Sequence, residues 1–149
     1  MHFKDFTAGK VFCAGPRAVT EEEIIEFARR YDPQPFHVDP EKAAASRWGG
    51  LISSGWLTCC IAMELAVKHV LGESDSIGSP GLEEVKWERP VRPGDALRLC
   101  LTVLESRLSS SGSVGVVRWR WELRNQTGVR VLHMIATSLF NVPAPAPNG

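Results

Sequence analysis

The stretch Gly55-Trp56-Leu57-Thr58-Cys59-Cys60-Ile61-Ala62-Met63-Glu64-Leu65-Ala66-Val67-Lys68-His69-Val70-Leu71 decides the fold. It predicts one long helix that is apolar on almost every side, a pattern typical of a helix enclosed within a domain. Gly72 follows directly and is the predicted C-terminal cap of this helix. Because such a helix must be covered on several sides, the rest of the chain has to supply a surrounding layer.

The second half of the chain predicts that layer, because its hydrophobic period changes to two. Four successive runs alternate in this way or are apolar on both faces, and they predict strands at residues 84–91, 97–103, 117–124 and 129–142. Turn sequences at 92–95 and 125–128 separate runs of this kind. Long strands joined by short turns favour an antiparallel meander.

The most economical packing wraps this curved antiparallel sheet around the long central helix. That arrangement is the hot-dog fold, which belongs to the α+β class. Trp119 and Trp121 would then lie on the concave face of the sheet or on a partner surface. A single sheet of this kind has an open edge, so we expect a homodimer, or a dimer of dimers, that extends the sheet.

Local signals also mark elements in the first half of the chain. A short first strand is expected at residues 11–19. Thr20 and Glu23 form a capping box, which predicts a helix that starts there and ends near Tyr31. Asp39 stands directly before a proline and is the predicted N-cap of a second, short helix.

Length and charge indicate one domain and exclude some classes of partner. The chain has 149 residues, so we expect a single domain over residues 1–142 and a flexible Pro/Ala-rich tail at 143–149. Seventeen basic residues balance seventeen acidic ones. This balance gives no electrostatic basis for binding nucleic acid or an anionic membrane. The apolar run from Leu51 to Glu64 is also too short to span a bilayer.

The cysteines and the N-terminus predict a compartment. Cys13, Cys59, Cys60 and Cys100 have neither CxxC nor zinc-site spacing. Cys59 and Cys60 lie in the apolar stretch and are expected to be buried, unreactive thiols. The N-terminus lacks the apolar core of a signal peptide. We therefore expect a cytoplasmic protein with reduced thiols.

The segment Tyr31-Asp32-Pro33-Gln34-Pro35-Phe36-His37-Val38-Asp39 carries the candidate chemistry. Its two prolines fix φ and remove backbone donors, so neither a helix nor a central strand can continue through it. We expect a stiff loop that holds the carboxylate of Asp32 and the imidazole of His37 in a fixed relation. Such a pair suits general acid–base catalysis, which needs proton carriers that are held in place.

Each of these residues also has a structural interpretation. Asp32 could cap a turn, and His37 could be a loop histidine with satisfied hydrogen bonds. Asp32, His37 and Asp39 could together bind a metal, but no further ligand cluster supports this and we expect no metal. Gly55 could simply allow close packing at the start of a helix.

The same segment resembles the motif of the MaoC-like dehydratases and (R)-specific enoyl-CoA hydratases. In that family the pattern is Gly-Asp-x-Asn-Pro-aliphatic-His, followed after five residues by a small residue. The matching positions here are Asp32, Pro35, His37 and Ala43. The stretch Gly49-Gly50-Leu51-Ile52-Ser53-Ser54-Gly55-Trp56 is similar to the family's entry into its central helix, and Val91-Arg92-Pro93-Gly94-Asp95 is similar to a family turn. The resemblance extends over roughly residues 7–140.

This resemblance implies a hydro-lyase of fatty acid metabolism. The enzyme would add water reversibly to a trans-2-enoyl thioester of coenzyme A, or of an acyl carrier, and form an (R)-3-hydroxyacyl thioester. Asp32 and His37 would activate the water, and the amide of Gly55 would bind the thioester oxygen. A helix N-terminus suits this oxygen because its N–H groups are unpaired and its dipole is positive. Coenzyme A would enter only within the substrate, and no cofactor is expected.

Four further residues are expected to contact the substrate: Gln34, Phe36, Ser54 and Trp56. Three of them depart from the family pattern, since Gln34 replaces asparagine, Phe36 replaces an aliphatic residue and Ser54 stands where histidine is frequent. Phe36 and Trp56 are large and would reshape the acyl pocket.

Other functions remain open on the sequence alone. A hot-dog thioesterase would direct water at the carbonyl carbon instead of the β-carbon. A non-catalytic acyl-CoA-binding subunit would hold the thioester without turnover, and the domain could also work beside a separate partner subunit. The spacing of Asp32 and His37, followed by Ser54 and Gly55, favours the hydratase.

Overall fold

The computed structural model describes residues 1–144, so most of the predicted flexible tail lies outside the described residues. The helices are α1 (Glu21–Tyr31), α2 (Pro35–Val38), α3 (Pro40–Ala45) and α4 (Gly55–Ala66), and α4 continues into a π-helical turn at Val67–Leu71. The strands are β1 (Val11–Ala18), β2 (Ser76–Trp87), β3 (Ala96–Leu108), β4 (Val114–Arg124) and β5 (Arg130–Asn141). The helices and the antiparallel sheet confirm the α+β class.

The five strands form one antiparallel sheet in the order β1-β3-β4-β5-β2. The predicted meander is confirmed for β3, β4 and β5 but is wrong for β2, which pairs with β5 on the far side of the sheet. The turn at 92–95 does form: Gly94 has φ +88° and the Asp95 N–H donates to the Arg92 carbonyl at 3.0 Å. It reverses the chain only locally, within a connection that joins distant strands.

Strand β2 also differs from its predicted bounds. It begins at Ser76 and ends at Trp87, whereas alternation had placed it at 84–91. Its pairing register with β5 shifts around Gly78 and Gly81. Such irregularities break the period of two, so the first half of this strand carries no alternating pattern that a sequence reading could detect.

Helix α4 packs against the concave face of the sheet, in one hydrophobic core with β3, β4 and β5. Leu57, Ile61 and Leu65 are buried there, but Trp56 is 63% exposed and Met63 is 49% exposed. The prediction of a helix buried on all sides is therefore wrong for a single chain, because the sheet covers only one side of α4. Gly72 is the C-cap of the π-helical turn that ends this helix, which confirms the predicted cap, and its φ is −61°.

An aromatic cluster fills the concave face of the sheet. Trp119 and Trp121 are both buried, which confirms the concave-face alternative of the sequence prediction. The edge of the Phe6 ring meets Trp119 at 5.6 Å between ring centroids. The Nε1–H group of Trp119 donates a hydrogen bond to Ser138 Oγ at 3.1 Å, so this buried indole has a polar partner.

Replacing Ser138 by alanine should destabilise the fold measurably. Ser138→Ala leaves the indole N–H of Trp119 buried without its acceptor, a loss that typically costs about 1–3 kcal/mol. Urea unfolding followed by tryptophan fluorescence measures the change in free energy. Ser110→Ala is the matched control, because Ser110 is exposed and should change stability by less than about 0.5 kcal/mol. Equal effects of the two substitutions would contradict this account of the cluster.

Two of the four cysteines form a disulfide, contrary to the expectation of reduced thiols. Cys13 and Cys100 are directly paired residues of β1 and β3, with their Cα atoms 4.2 Å apart. Sequence spacing could not reveal this pair, which is separated by 87 residues. Cys59 is half-buried and Cys60 is exposed, so burial of both was also wrong. Because disulfides are rare in the cytosol, the cysteines no longer support the cytoplasmic prediction.

Across residues 1–144, no helix combines the length and the apolar character needed to cross a bilayer.

Candidate active site

Asp32 and His37 are placed by the ends of two neighbouring helices. Asp32 is the C-cap of α1, and its N–H donates to the carbonyl of Ala28 at 2.8 Å. His37 lies on α2, which begins at Pro35. The prediction of a stiff loop is therefore wrong in part: proline ends the preceding helix but is well suited to the first position of a new one.

The imidazole of His37 is held in one tautomer. The side chain is only 5% exposed, and its Nδ1 lies 2.7 Å from the carbonyl oxygen of Ile52. A carbonyl oxygen can only accept, so Nδ1 carries the proton and Nε2 is left with a lone pair in the neutral ring. This Nε2 points at Asp32 Oδ2 across 3.3 Å.

Two acceptors therefore face each other at the centre of the site. A neutral imidazole Nε2 and a carboxylate cannot hydrogen-bond to one another, because neither carries a proton. Their arrangement suits a water molecule that donates to both, or a proton on Nε2 that pairs with the carboxylate. Both states occur in turn during general acid–base catalysis of water addition.

The electrostatics of Asp32 favour its ionised form. Burial raises the pKa of this carboxyl group, but hydrogen bonds from Gln34 and Ser54, together with the charge of His37, outweigh that effect and lower it below its ordinary value. The Gln34 contact runs from Nε2 to Asp32 Oδ1 at 2.8 Å. Gln34 therefore has a visible positioning role, holding one carboxylate oxygen while the other faces His37.

The N-terminus of α4 opens onto the same place. Ser54 is the N-cap, and its Oγ accepts from the N–H of Trp56 at 3.3 Å. Gly55 is the first residue of the helix, so no carbonyl within the helix can accept its N–H. This end of α4 combines free N–H groups with the positive end of the helix dipole, which suits an oxygen that gains negative charge.

Five of the seven predicted site residues line one cavity of about 350 Å³: Asp32, Gln34, His37, Gly55 and Trp56. The other two lie behind its wall. Ser54 is fully buried at the start of the helix. Phe36 packs against the hydrophobic core, and its ring meets the His37 imidazole edge-on, with 4.5 Å between the ring centroids. Both lie against residues that line the cavity, and their expected contacts with substrate stay predictions.

The cavity also has walls that the sequence reading missed. Trp48, Trp87 and Arg89 line it, and they come from segments outside the motif. The Nε1–H group of Trp87 donates to the carbonyl of Gly55 at 2.8 Å, so this indole is fixed to the start of α4. The only available signal was the position of Trp87 among the apolar residues of an alternating run. Such a position indicates a core or interface residue as readily as a residue that lines a site.

Asp39 is separate from the pair. Its Oδ1 accepts from the N–H groups of Glu41 and Lys42 at 3.1 and 3.2 Å, which confirms the predicted N-cap of α3. Among residues 1–144, Asp39 does not form a cluster of possible metal ligands with Asp32 and His37.

Comparison with known proteins gives consistent similarities. The model of the protein family described as "MaoC like domain" matches residues 5–120 of this chain. The structure of a MaoC-like dehydratase from Rhodospirillum rubrum superposes with a TM-score of 0.86 at 37% identity, covering 95% of this chain and 97% of that one. The R-hydratase PhaJ1 of Pseudomonas aeruginosa, at 22% identity and a TM-score of 0.75 over 99% of this chain and 94% of that one, shares the fold. These similarities confirm the predicted hot-dog fold.

One curated relative is an enzyme of known reaction. Mesaconyl-CoA hydratase of Cereibacter sphaeroides is 36% identical over 97% of this chain. The match covers 44% of that enzyme, so the chain spans less than half of its length.

Proposed function

The chain belongs to the MaoC-like dehydratase family, and we propose that it reversibly hydrates trans-2-enoyl thioesters, most simply of coenzyme A, to (R)-3-hydroxyacyl thioesters. The observation that carries this proposal is the meeting of His37 Nε2 and Asp32 Oδ2 across 3.3 Å in a cavity that also holds the start of α4. The mesaconyl-CoA hydratase relative supports water addition to an unsaturated thioester as the reaction class. The (R) product follows from the family alone.

The Gly55 N–H would bind the thioester oxygen. Addition of water to the β-carbon moves negative charge onto that oxygen and produces an enolate. The free N–H and the dipole of α4 are in place before the charge develops, so they stabilise the transition state more than the substrate. Donors of this kind typically contribute about 3–4 kcal/mol.

His37 would carry the proton and Asp32 would orient the water. The neutral Nε2 accepts a proton from the water as its oxygen bonds to the β-carbon, and the ionised Asp32 stabilises the imidazolium that results. The Nε2–H group then gives that proton to the α-carbon, so one water is added and His37 returns to its neutral form. Asp32 suits the orienting role because its lowered pKa makes it a weak base.

The reaction needs no group beyond these residues and the substrate. We propose no cofactor and no metal, with coenzyme A present only as the carrier of the acyl group. The carrier could equally be an acyl-carrier protein, since the residues assigned above act only on the acyl and thioester atoms.

A test of the reaction class follows the enoyl-thioester ultraviolet absorbance of crotonyl-CoA and, in parallel, free thiol from butyryl-CoA. We expect loss of the enoyl absorbance and no thiol release. Thiol release without hydration would identify a thioesterase, which directs water at the carbonyl carbon. Binding of both thioesters without any turnover would identify a non-catalytic acyl-CoA-binding subunit. Either of these results would refute the hydratase.

We also propose a homodimer that forms through β2 and the exposed side of α4. Strand β2 is an edge of the sheet, with free pairing groups along one side. Large apolar side chains are exposed next to it on both elements: Trp56, Met63, Val67, Ile77 and Leu82. Light scattering should give the mass of two chains, or of four if dimers pair. A monomer at micromolar concentration would contradict this prediction.

A further inference from the structure

A second cavity of about 420 Å³ lies beside the first, further along α4. It lies between two helical segments and two strands. Met63 of α4 and Val67 of the π-helical turn line one side, and Leu82 of β2 and Ala136 of β5 line the other. Most of its lining is apolar, with a few serine side chains. An apolar space of this size suits an alkyl chain, and it lies next to the proposed thioester site.

The two cavities share no lining residue. Trp87 lines the first cavity, and Cys59, one turn beyond Gly55 on α4, lines the second. The side chains of Trp87 and Cys59 are neighbours. Burial raises the pKa of the Cys59 thiol, and a hydrogen bond with Trp87 lowers it.

The register of β2 gives the same placement. Leu82 and its partner Ala136 line the second cavity, as does Met134, the partner of Val85, whereas Trp87 pairs with Leu132 at the end of the strand. Val85 and Trp87 are two residues apart and share a face of the strand. The indole thus follows Val85 on one face of β2 and, unlike Val85, lines the first cavity.

Trp87 is also held firmly in this position. Its Nε1–H donates to the Gly55 carbonyl at 2.8 Å, and its ring meets Trp56 edge-on at 5.3 Å between centroids. The residue is nevertheless 45% exposed, so its removal would open space without emptying the hydrophobic core. The indole is therefore tied to the same turn of α4 that would bind the thioester oxygen.

We propose that Trp87 ends the acyl site and restricts the enzyme to short enoyl chains, with the second cavity as the space that a longer chain would need. The proposal rests on the hydratase function and adds its substrate class: enoyl groups of about four carbons rather than eight or more. A chain that extends from a thioester at Gly55 along α4 meets the indole before it can reach Met63 or Val67.

The test compares kcat/KM for four-carbon and eight-carbon trans-2-enoyl-CoA. Wild type should prefer the four-carbon substrate by about tenfold or more, because each methylene that a pocket cannot accept costs roughly that factor. Trp87→Ala should raise the ratio of eight-carbon to four-carbon activity by about tenfold or more. Trp87→Phe is the matched control, since it removes the N–H donor but keeps a ring, and its ratio should stay near that of wild type.

A second substitution tests where the longer chain goes. Adding Ala136→Phe to Trp87→Ala fills the second cavity and should return the ratio towards the wild-type value. Equal wild-type rates on both substrates would overturn the proposal without any variant. So would a Trp87→Ala ratio that matches wild type, or a gain that Ala136→Phe leaves intact. Absence of crotonyl-CoA hydration by wild type would instead refute the hydratase function itself.

Discussion

Asp32→Asn should reduce the hydration rate of crotonyl-CoA by roughly 10²–10⁴-fold, the range typical of disabling a positioned acid–base pair. The amide keeps the size of the side chain but removes the charge that faces His37 Nε2 at 3.3 Å. Without that charge the imidazolium that forms during water addition is no longer stabilised. An amide can also present its NH₂ group to Nε2, where it would compete with the water.

The effect of Asp32→Asn should fall on kcat, measured from initial rates of absorbance loss. Asp39→Asn is the matched control, seven residues further along, because asparagine caps helices as well as aspartate does and the Asp39 side chain caps α3. This control should keep wild-type activity and stability within a few tenths of a kcal/mol. Comparable losses in the two variants would show that Asp32 has no special part in the reaction.

Gly55→Ala should lower kcat/KM by roughly 10²-fold while the fold survives. The backbone at Gly55 is helical, so alanine is not strained there, but its Cβ would come within 2.6 Å of the Trp87 indole. The indole must move, which breaks its 2.8 Å hydrogen bond to the Gly55 carbonyl and shifts the turn that would bind the thioester oxygen. A displacement of about 1 Å at a reacting centre can cost that factor.

Two measurements separate this effect from unfolding. Urea unfolding of Gly55→Ala should stay within about 1 kcal/mol of wild type, because the better helix propensity of alanine offsets much of the lost hydrogen bond. Gly55→Ala combined with Trp87→Leu removes the clash and should recover part of the lost activity. Full activity in Gly55→Ala alone would mean that the indole moves without consequence for the site.

The sequence predicted the parts of the fold that local rules determine. The capping box at Thr20 and the N-cap at Asp39 form as expected, because both depend on residues within one turn. Strict alternation along one strand put Trp119 and Trp121 on the same face, and their burial favours the concave face over the partner surface.

The misses involve contacts between distant segments. The partner of β2, the Cys13–Cys100 disulfide and the exposed side of α4 each depend on how far-apart segments meet. In the site, the motif predicted the pairing of Asp32 with His37. It did not predict that the Ile52 carbonyl orients the imidazole ring or that Trp87 lines the cavity. Neither contact leaves a pattern in the sequence, because each joins elements by tertiary packing.

The most direct test of the central claim is a double-mutant cycle on crotonyl-CoA hydration, with Asp32→Asn, His37→Ala and the two combined. If the pair acts as one unit on one water, the double variant should be about as slow as the worse single variant, since removing either partner already disables the unit. Losses that multiply, or hydration that either single variant leaves unchanged, would contradict the account.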